Sequence, residues 1–470
     1  MTQIKFGTDG WRAIIAKDFT VENVARVSEA TGKWLLANKG KAPVTVLGHD
    51  CRFAGELFCE TIAKILCSQG VKVLLAKGFV STPMISLGAV KLKADLGIII
   101  TASHNPPDYN GFKLKGSYGG PLLPAMVSEI EVMIADKSTV DIDKLSLEDF
   151  EKKGLLQYVD LETMYCDEVV KNFDLDAIRN SGLTLAYDAM YGSGQNVMKR
   201  LLPDLKMLHC DYNPSFMGQA PEPIHKNLTE FSNMIKNANG KISSGLVTDG
   251  DADRLGFYDS QGNFVDSHHC ILLLINYLYK YKGMRGKVCV AFSTTPKVAL
   301  LCKHYNIPLE TVKIGFKYIA EIMIKEDVLL GGEESGGIAI KGHIPERDGI
   351  WMGLTLWEFM AKSGKTLNDL IAEVDEITGR FSFERNDIHL KEEIKQQILT
   401  NCKSGKYHSF GKYKVSRIED LDGYKYFFEN GDWMMIRASG TEPVLRLYAE
   451  SNSREAAFDI LNASKETLLN

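Results

Sequence analysis

The chain has 470 residues, of which 45% are hydrophobic and 24% are charged. This composition is typical of folded globular proteins and excludes a disordered chain, and the length predicts about three domains, with two or four equally compatible. Acidic residues (60) slightly outnumber basic residues (55), so the net charge of -5 provides no basic field that would hold a nucleic acid.

The sequence carries no pattern for a membrane span or for export. The longest apolar runs, such as residues 96–100 and 271–278, are far shorter than the roughly 20 residues that a spanning helix needs. The amino end lacks the apolar segment and cleavage site of a signal peptide. The nine cysteines include no CxxC pair, so we expect buried free thiols. These features predict a cytoplasmic protein without membrane or nucleic-acid partners.

Short apolar runs alternate with helix-length amphipathic segments through the first three quarters of the chain. Helices are predicted at residues 55–69 and 295–305, for example. Apolar runs that are buried on both faces and separated by helices are typical of parallel sheets, so we expect repeated α/β units. The predicted strands are residues 44–48, 71–76, 95–101, 183–188, 245–249, 287–292 and 327–332.

The pattern changes after about residue 379. Strands then follow one another at shorter spacing, and a helix from about residue 453 ends the chain, which favours an α+β domain. The predicted strands are residues 379–383, 412–418, 424–428, 433–437 and 444–450.

The first of four polar clusters at strand ends surrounds Ser103. The preceding strand stops at Thr101, and prolines and a glycine hold the loop that follows, so the serine hydroxyl is exposed on a rigid support. Such a serine can carry a phosphoryl group if cations surround it, and His104 and Lys113 are the nearest candidates for assisting it. The alternative is a proline-rich turn with an ordinary hydrogen-bonded serine.

The second cluster contains Asp249, Asp251 and Asp253, which alternate after a predicted strand with Arg254 beside them. Three carboxylates that converge there predict an all-oxygen site for Mg²⁺. An EF-hand is excluded because Arg254 and Ser260 occupy its glycine and glutamate positions. Aspartyl phosphatases would use Asp249 as a nucleophile, but they usually carry threonine or valine where Asp253 stands. A solvated turn is the remaining alternative.

The third cluster places Glu333 and Ser335 between glycines. A carboxylate and a hydroxyl on a backbone that a ligand can approach closely suit adjacent sugar hydroxyls. The alternative is a glycine-rich turn without a ligand.

The fourth cluster combines an arginine with a short polar loop. Its guanidinium, hydroxyls and backbone N–H groups match a phosphate dianion, and a second arginine, Arg446, adds another cation. The alternative is a simple hairpin turn. The loop residues are Arg437, Ser439, Gly440 and Thr441.

In this order and at these separations, the four clusters resemble the α-D-phosphohexomutase family, which includes phosphoglucomutases and phosphomannomutases. Further stretches extend the resemblance over essentially the full chain: residues 6–13, 48–52, 81–84, 187–194, 221–228 and 313–321. The resemblance implies three mixed α/β domains and a C-terminal α+β domain of the TATA-binding-protein-like type around a central cleft. The predicted boundaries are 1–150 (phosphoserine loop), 151–257 (Mg²⁺ loop), 258–372 (sugar loop) and 373–470 (phosphate loop).

The resemblance also implies a function for each cluster. Ser103 would carry the phosphoryl group and share Mg²⁺ with Asp249, Asp251 and Asp253. The reacting phosphate would be surrounded by Arg12, Lys113 and Arg254, the sugar bound by Lys317, Glu333 and Ser335, and the other phosphate bound by the fourth cluster. The expected reaction interconverts hexose 1-phosphate and hexose 6-phosphate through a hexose 1,6-bisphosphate, with glucose 1,6-bisphosphate as activator. The expected partners are small-molecule hexose phosphates, in a monomer or homodimer.

One departure from the family concerns the general acid/base. Many members have a histidine directly after the sugar loop, but this chain has Gly337 there, so the role stays open between His343, His104 and Lys113. The sugar-loop sequence favours glucose phosphates, with mannose phosphates as the competing possibility. Phosphoglucosamine is less expected, because members that act on it usually carry Asp-Arg where Phe316 and Lys317 stand. A Mg²⁺-dependent phosphatase that uses Asp249, or a phosphosugar-binding protein, are the alternatives.

Overall fold

Four β-sheets follow one another along the chain in the computed structural model, which describes residues 3–40, 42–438 and 444–469. The first three sheets are mixed and covered by helices, and the fourth is antiparallel throughout. This confirms the predicted architecture of three α/β domains and a C-terminal α+β domain. Within the described ranges, no helix is both long and apolar enough to cross a membrane.

The first sheet has six strands in the order β1-β5-β4-β2-β3-β6. The strands are β1 Trp11–Ile14, β2 Val44–His49, β3 Lys72–Ala76, β4 Leu96–Ile100, β5 Tyr109–Gly116 and β6 Leu156–Val159, and the helices are α1 Val21–Lys39, α2 Gly55–Ser68, α3 Thr82–Lys91, α4 Pro124–Val132 and α5 Leu147–Lys152. The sequence pattern predicted only the parallel strands, but β5 and β1 extend the sheet in antiparallel pairs. Lys113, on β5 next to β4, thereby lies opposite Ile99, and Arg12, on β1 as the next strand out, lies opposite Gly111.

The second sheet has five strands in the order β11-β10-β9-β7-β8. Its elements are α6 Leu161–Asn172, α7 Leu175–Arg179, β7 Leu185–Asp188, α8 Gln195–Leu201, β8 Lys206–Leu208, α9 Thr229–Asn237, β9 Ser244–Thr248, β10 Leu255–Tyr258 and β11 Phe264–Val265. Every residue of β9 is buried, as its apolar sequence requires for a central strand. The aspartate cluster occupies the turn between β9 and the antiparallel β10.

The third sheet has four strands in the order β13-β12-β14-β15. Its elements are α10 Ser267–Asn276, β12 Lys287–Ala291, α11 Lys297–Tyr305, β13 Leu309–Val312, α12 Phe316–Met323, β14 Val328–Gly332, β15 Ile338–Ile340, α13 Gly349–Ser363 and α14 Leu367–Thr378, with one π-helical turn at Tyr277–Tyr281. The sugar loop joins β14 to the antiparallel β15. Helix α13 packs against β9 and β10, and one apolar core runs through the first three domains.

The fourth sheet has the order β16-β21-β20-β19-β18-β17. Its elements are β16 Ser382–His389, α15 Glu392–Lys403, β17 Ser409–Phe410, β18 Tyr413–Glu419, β19 Tyr424–Phe428, β20 Trp433–Ala438, β21 Val444–Ser451 and α16 Arg454–Leu469. This domain contacts the third domain through Lys425, whose ammonium donates to the carbonyl oxygens of Phe292 (3.2 Å) and Thr294 (3.0 Å).

Two predicted domain boundaries fall inside sheets. Strand β6 completes the first sheet beyond the predicted boundary at 150, and β10 with β11 extends the second sheet beyond the boundary at 257. We therefore propose boundaries near 160 and 266, because a strand belongs to the domain whose sheet it completes.

Other predictions from composition can be compared directly with the structure. All nine cysteines are free, and eight of them are buried. The expectation of buried free thiols is confirmed for those eight, and Cys210 is half-buried.

Candidate active site

Ser103 stands at the turn that leaves β4, in a left-handed backbone conformation (φ 53°). Its N–H donates to the Thr101 hydroxyl at 2.9 Å, and its carbonyl oxygen accepts from a buried Arg52 guanidinium at 2.7 Å. The loop of the second domain also packs closely against this carbonyl oxygen, since a Cβ added to Gly250 would stand only 2.6 Å from it. Contacts from both domains therefore hold this uncommon conformation and aim the hydroxyl.

The Ser103 hydroxyl joins the first two clusters. The Ser103 hydroxyl donates to Asp249 Oδ2 at 2.7 Å, and His104 Nδ1 lies 3.3 Å from Ser103 Oγ. Burial, with Arg254 and Arg12 nearby, holds the pKa of His104 well below its usual value. A neutral imidazole and a carboxylate thus flank a serine oxygen that is itself buried.

The three aspartates form a compact oxygen cluster. One carboxylate oxygen from each lies within 4.8 Å of the others, and all three side chains are fully buried. Burial and the charges of its two neighbours raise the pKa of Asp249 well above its usual value. In the described part of the chain, Asp251 Oδ1 and Asp253 Oδ1 have no hydrogen-bond partner. Unpartnered buried carboxylate oxygens beside a hydroxyl fit a hard divalent cation such as Mg²⁺.

Cations from two domains surround this cluster. Lys113 Nζ lies 2.7 Å from Asp251 and 2.9 Å from Asp9. Burial favours its neutral form, but Asp251 and Asp9 outweigh that effect and raise the pKa of Lys113 above its usual value. Arg347, from the third domain, lies 2.8 Å from Asp253 and 2.6 Å from Asp9. Lys113 and Arg347 thus offset part of the negative charge of the aspartates.

Two further predicted cations lie at the same place. Arg12 donates to Asn105 Oδ1 in the serine loop at 2.8 Å. The N–H of Arg254 donates to Asp249 Oδ1 at 3.1 Å, and its backbone forms an isolated β-bridge with Gly337. Arg254 thereby connects the aspartate turn to the sugar loop.

The sugar loop is held against the loop that precedes α12, the helix whose second residue is Lys317. Glu333 Oε1 accepts from the N–H of Gly315 at 2.9 Å, and burial raises the pKa of Glu333 to about 7 against the opposing charge of Arg347. Ser335, two residues after Glu333, and Lys317, two residues after Gly315, are both half-buried. The third cluster therefore places the Glu333 carboxyl group against the loop that leads into α12.

In the fourth cluster, Arg437 and Arg446 are paired on the neighbouring strands β20 and β21. Arg437 Nε donates to Asp422 Oδ1 at 3.3 Å. Ser439, Gly440 and Thr441, which were predicted to bind phosphate, lie outside the described residues.

The described contacts of His343 are with Asp348 and Trp351 and not with Ser103. Its Nε2 lies 2.9 Å from Asp348, and its ring stacks on Trp351 at 3.6 Å. These partners hold the side chain in the core of the third domain, where it is 3% exposed. Of the three candidates for general acid/base, the structure places His104 and Lys113 at the cluster.

Sequence reasoning missed three residues of the site. Asp9 lies within stretch 6–13 and Arg347 lies between β15 and α13, but a lone charged residue in a loop gives no signal of its partners. Thr82 is the third of these residues, and its hydroxyl donates to Asp251 Oδ2 at 2.5 Å. All three are recognised only by contacts across domains.

Comparison with known proteins covers nearly the whole chain. Sequence models of the phosphoglucomutase/phosphomannomutase family match residues 3–141 (alpha/beta/alpha domain I), 163–262 (domain II), 266–377 (domain III) and 385–464 (C-terminal domain). The chain is 29% identical to a Thermococcus kodakarensis phosphoglucomutase/phosphomannomutase, over 97% of this chain and 96% of that one.

Two other comparisons reach higher identity. A Methanococcus maripaludis phosphoglucosamine mutase is 31% identical over 88% of this chain and 89% of its own. The crystal structure of a Thermus thermophilus protein described as a phosphomannomutase superposes with a TM-score of 0.88 and 32% identity, and the match covers all of both chains.

Proposed function

The chain belongs to the phosphoglucomutase/phosphomannomutase family and is a phosphohexomutase isomerase, and we propose that it interconverts hexose 1-phosphate and hexose 6-phosphate through a phosphorylated Ser103. The observation that carries this proposal is the buried Ser103 hydroxyl, which bonds to Asp249 at 2.7 Å beside His104. A serine held in a left-handed turn by contacts from two domains is suited to a covalent step.

The phosphoryl group moves from Ser103 to a sugar hydroxyl and back. In the first transfer, the hydroxyl oxygen bonds to phosphorus as the bond from phosphorus to Ser103 Oγ breaks. The sugar hydroxyl loses a proton and Ser103 Oγ gains one as it leaves, and His104 Nδ1, 3.3 Å from Ser103 Oγ, is placed to deliver that proton. Lys113 and Arg12 stabilise the charge on the phosphoryl oxygens. The resulting hexose 1,6-bisphosphate turns over in the cleft, and its other phosphoryl group returns to Ser103.

The aspartate cluster supports this chemistry through a metal ion. Asp249, Asp251, Asp253 and the Ser103 oxygen would hold Mg²⁺, which supplies charge neutralisation for the transferring phosphoryl group. Lys113 lies 2.7 Å from Asp251 and Arg347 lies 2.8 Å from Asp253, so a cation holds each of these two carboxylates in place.

The distal phosphate needs a separate site, and Arg437 with Arg446 supports one on the fourth domain. Because the same arginines would accept either end of the bisphosphate, glucose 1,6-bisphosphate should act as an activator that phosphorylates Ser103.

We propose glucose phosphates as the preferred substrates, with mannose phosphates accepted. The positive charge of Lys317 beside the sugar loop favours neutral hydroxyls over the ammonium of a glucosamine phosphate. Glucosamine phosphate is the second candidate, because the Methanococcus maripaludis relative is a phosphoglucosamine mutase. Turnover of the three 1-phosphates, compared at equal enzyme concentration, separates these substrates.

The test of the reaction is the phosphorylation and mutation of Ser103. Incubation with glucose 1,6-bisphosphate should add one phosphoryl group that peptide mass mapping locates on Ser103. Ser103→Ala should abolish conversion, whereas Ser128→Ala, an exposed serine on α4, should leave it unchanged. Full turnover by Ser103→Ala would refute the mechanism.

The phosphatase alternative receives no support from the comparisons. In the structure, Asp249 Oδ2 accepts from Ser103 and Oδ1 accepts from two backbone N–H groups, so both oxygens already have donors. Stoichiometric release of inorganic phosphate from glucose 1-phosphate would favour that alternative, and quantitative conversion to glucose 6-phosphate favours the mutase.

A further inference from the structure

A hexose phosphate presents its phosphate and its ring hydroxyls at a separation that covalent bonds fix. The proposed contacts to these two ends lie on different domains, with Arg437 on the fourth and Glu333 on the third. To grip both ends at once, the protein must hold the two side chains at a matching distance. The structure contains a short connection between them.

Asp422 is the centre of this connection. It lies in the turn between β18 and β19, with its side chain 25% exposed. Its Oδ1 accepts from Arg437 Nε at 3.3 Å, and its Oδ2 accepts from the N–H of Ile314 at 2.9 Å. One carboxylate therefore bridges a strand of the fourth domain and a loop of the third.

The same loop holds the sugar-binding glutamate. Glu333 Oε1 accepts from the N–H of Gly315, the residue after Ile314, at 2.9 Å. Two consecutive N–H groups thus bind two carboxylates, one from each recognition site. The line from Arg437 to Glu333 passes through a single side chain and one short backbone segment.

Glycines fix both ends of this segment. Gly315 has φ 131°, and a Cβ there would stand 2.6 Å from Thr8 Cγ2. Gly423 has φ 98°, and a Cβ there would stand 2.7 Å from the carbonyl oxygen of Ile436. A side chain at either position would be strained and would clash, so only glycine allows these close approaches beside the contacts of Asp422.

We propose that Asp422 is a positioning residue that sets the spacing between Arg437 and Glu333, so that the phosphate and the sugar ring bind together. This inference rests on the proposed function of those two residues. The hydrogen bond to Nε also turns the Nη1/Nη2 edge of Arg437 into the edge for bidentate phosphate binding. Asp422 acts through these neighbours and does not itself contact the reacting atoms.

The first test is steady-state kinetics with glucose 1-phosphate. In Asp422→Asn the amide accepts on one side only, so either Ile314 or Arg437 loses its acceptor. KM should rise about tenfold with kcat changed less than about threefold, because the transfer at Ser103 is untouched. A merely damaged fold would lower kcat through the active fraction and leave KM unchanged. Asp422→Glu, which keeps both acceptor oxygens, should restore part of the loss.

The matched control is Asp420→Asn. Asp420 is an exposed aspartate two residues earlier in the same turn, so its replacement removes the same charge without touching the connection. It should have the wild-type KM. A KM for Asp422→Asn within about twofold of this control overturns the inference.

The second test is a double-mutant cycle on binding, measured by calorimetry with glucose 1,6-bisphosphate in the Ser103→Ala background. If Asp422 joins the two sites, Asp422→Asn and Glu333→Gln should each weaken binding about tenfold, and the double variant should lose far less than the product of the two factors. When Asp420→Asn is combined with Glu333→Gln, the factors by which the two variants weaken binding should simply multiply.

The two tests separate this inference from the proposed function. Multiplicative losses for Asp422→Asn and Glu333→Gln overturn the positioning role even if the wild-type enzyme converts hexose phosphates. A wild-type enzyme without turnover refutes the proposed function, while the binding cycle still decides the role of Asp422. Absence of bisphosphate binding in the Ser103→Ala background overturns both.

Discussion

Replacing Asp9 with asparagine removes the carboxylate that links the cations of the first and third domains. Asp9 lies 2.6 Å from Arg347, 2.9 Å from Lys113, 3.6 Å from Arg12 and 3.7 Å from Lys115. Burial disfavours its charge, but Arg347, Lys113 and Lys115 outweigh that effect and hold the pKa of Asp9 well below its usual value. The side chain is therefore negative at neutral pH, and Asp9→Asn deletes a full charge.

The size of the effect follows from the burial of the partners. The side chains of Lys113, Lys115 and Arg347 are 1%, 0% and 3% exposed, so water cannot replace the lost carboxylate. Removing one partner of a buried ion pair costs about 3–5 kcal/mol, whereas an exposed pair contributes about 0–1 kcal/mol. Because Asp9 itself is 15% exposed, we expect a loss near the lower figure, about 3 kcal/mol.

The assay is thermal unfolding followed by fluorescence, at neutral pH and low salt. A loss of about 3 kcal/mol lowers the midpoint by roughly 3 °C if the whole chain unfolds as one unit, and by more if the first domain unfolds alone. The matched control is Asp141→Asn, which breaks a surface pair with Lys144 whose side chains are 54% and 82% exposed. That variant should change stability by less than about 0.5 kcal/mol. Equal midpoints for the two variants would refute the reasoning.

Two further predictions concern the metal and acid pH. Exhaustive chelation should abolish hexose phosphate conversion, and Mg²⁺ should restore it. Ca²⁺, with longer bonds and looser geometry, should support little transfer. Full activity after chelation would contradict the aspartate site. For Glu29, burial favours the neutral acid, but hydrogen bonds from Lys33 and Thr139 outweigh it and lower the pKa to about 2. A lowered folded-state pKa means that the stabilisation is present above the unfolded value of about 4.5 and is lost as pH falls toward 2. The difference in free energy of unfolding between wild type and Glu29→Gln should therefore shrink by about 3 kcal/mol between pH 6 and 2, as urea titrations would measure, and a pH-independent difference would count against this ion pair.

Local pattern predicted most of the fold. The predicted strands at 44–48, 183–188 and 424–428 match β2, β7 and β19 to within two residues at each end. These elements were predictable because apolar periodicity and capping residues act over a few positions of the chain.

Other strands gave no such signal. Strands β1 and β5 are short or rich in polar residues, and their sequences fit a loop as well as a strand. They form because they complete the open edge of the first sheet beside β4. Their tertiary pairing outweighs a weak local preference.

The candidate site divides in the same way. Ser103, the three aspartates, Glu333 and Arg437 were identified from residue types at strand ends, since the chemistry of a hydroxyl, a carboxylate or a guanidinium is legible in the sequence. The sequence did not show which of these side chains contact one another. The hydrogen bond from Lys113 to Asp251 spans 138 residues, and the one from Arg347 to Asp9 spans 338.

The sequence by itself therefore predicted most of the elements, the domain types and the candidate reactive side chains of this protein. Only the tertiary structure decided that His343 packs on Trp351, that Asp9 pairs with cations from two domains, and that Asp422 bridges Arg437 and Ile314. The physical reason is that propensity and periodicity act between near neighbours, whereas these contacts depend on strand order, register and domain packing, which bring distant residues together only when the whole chain folds.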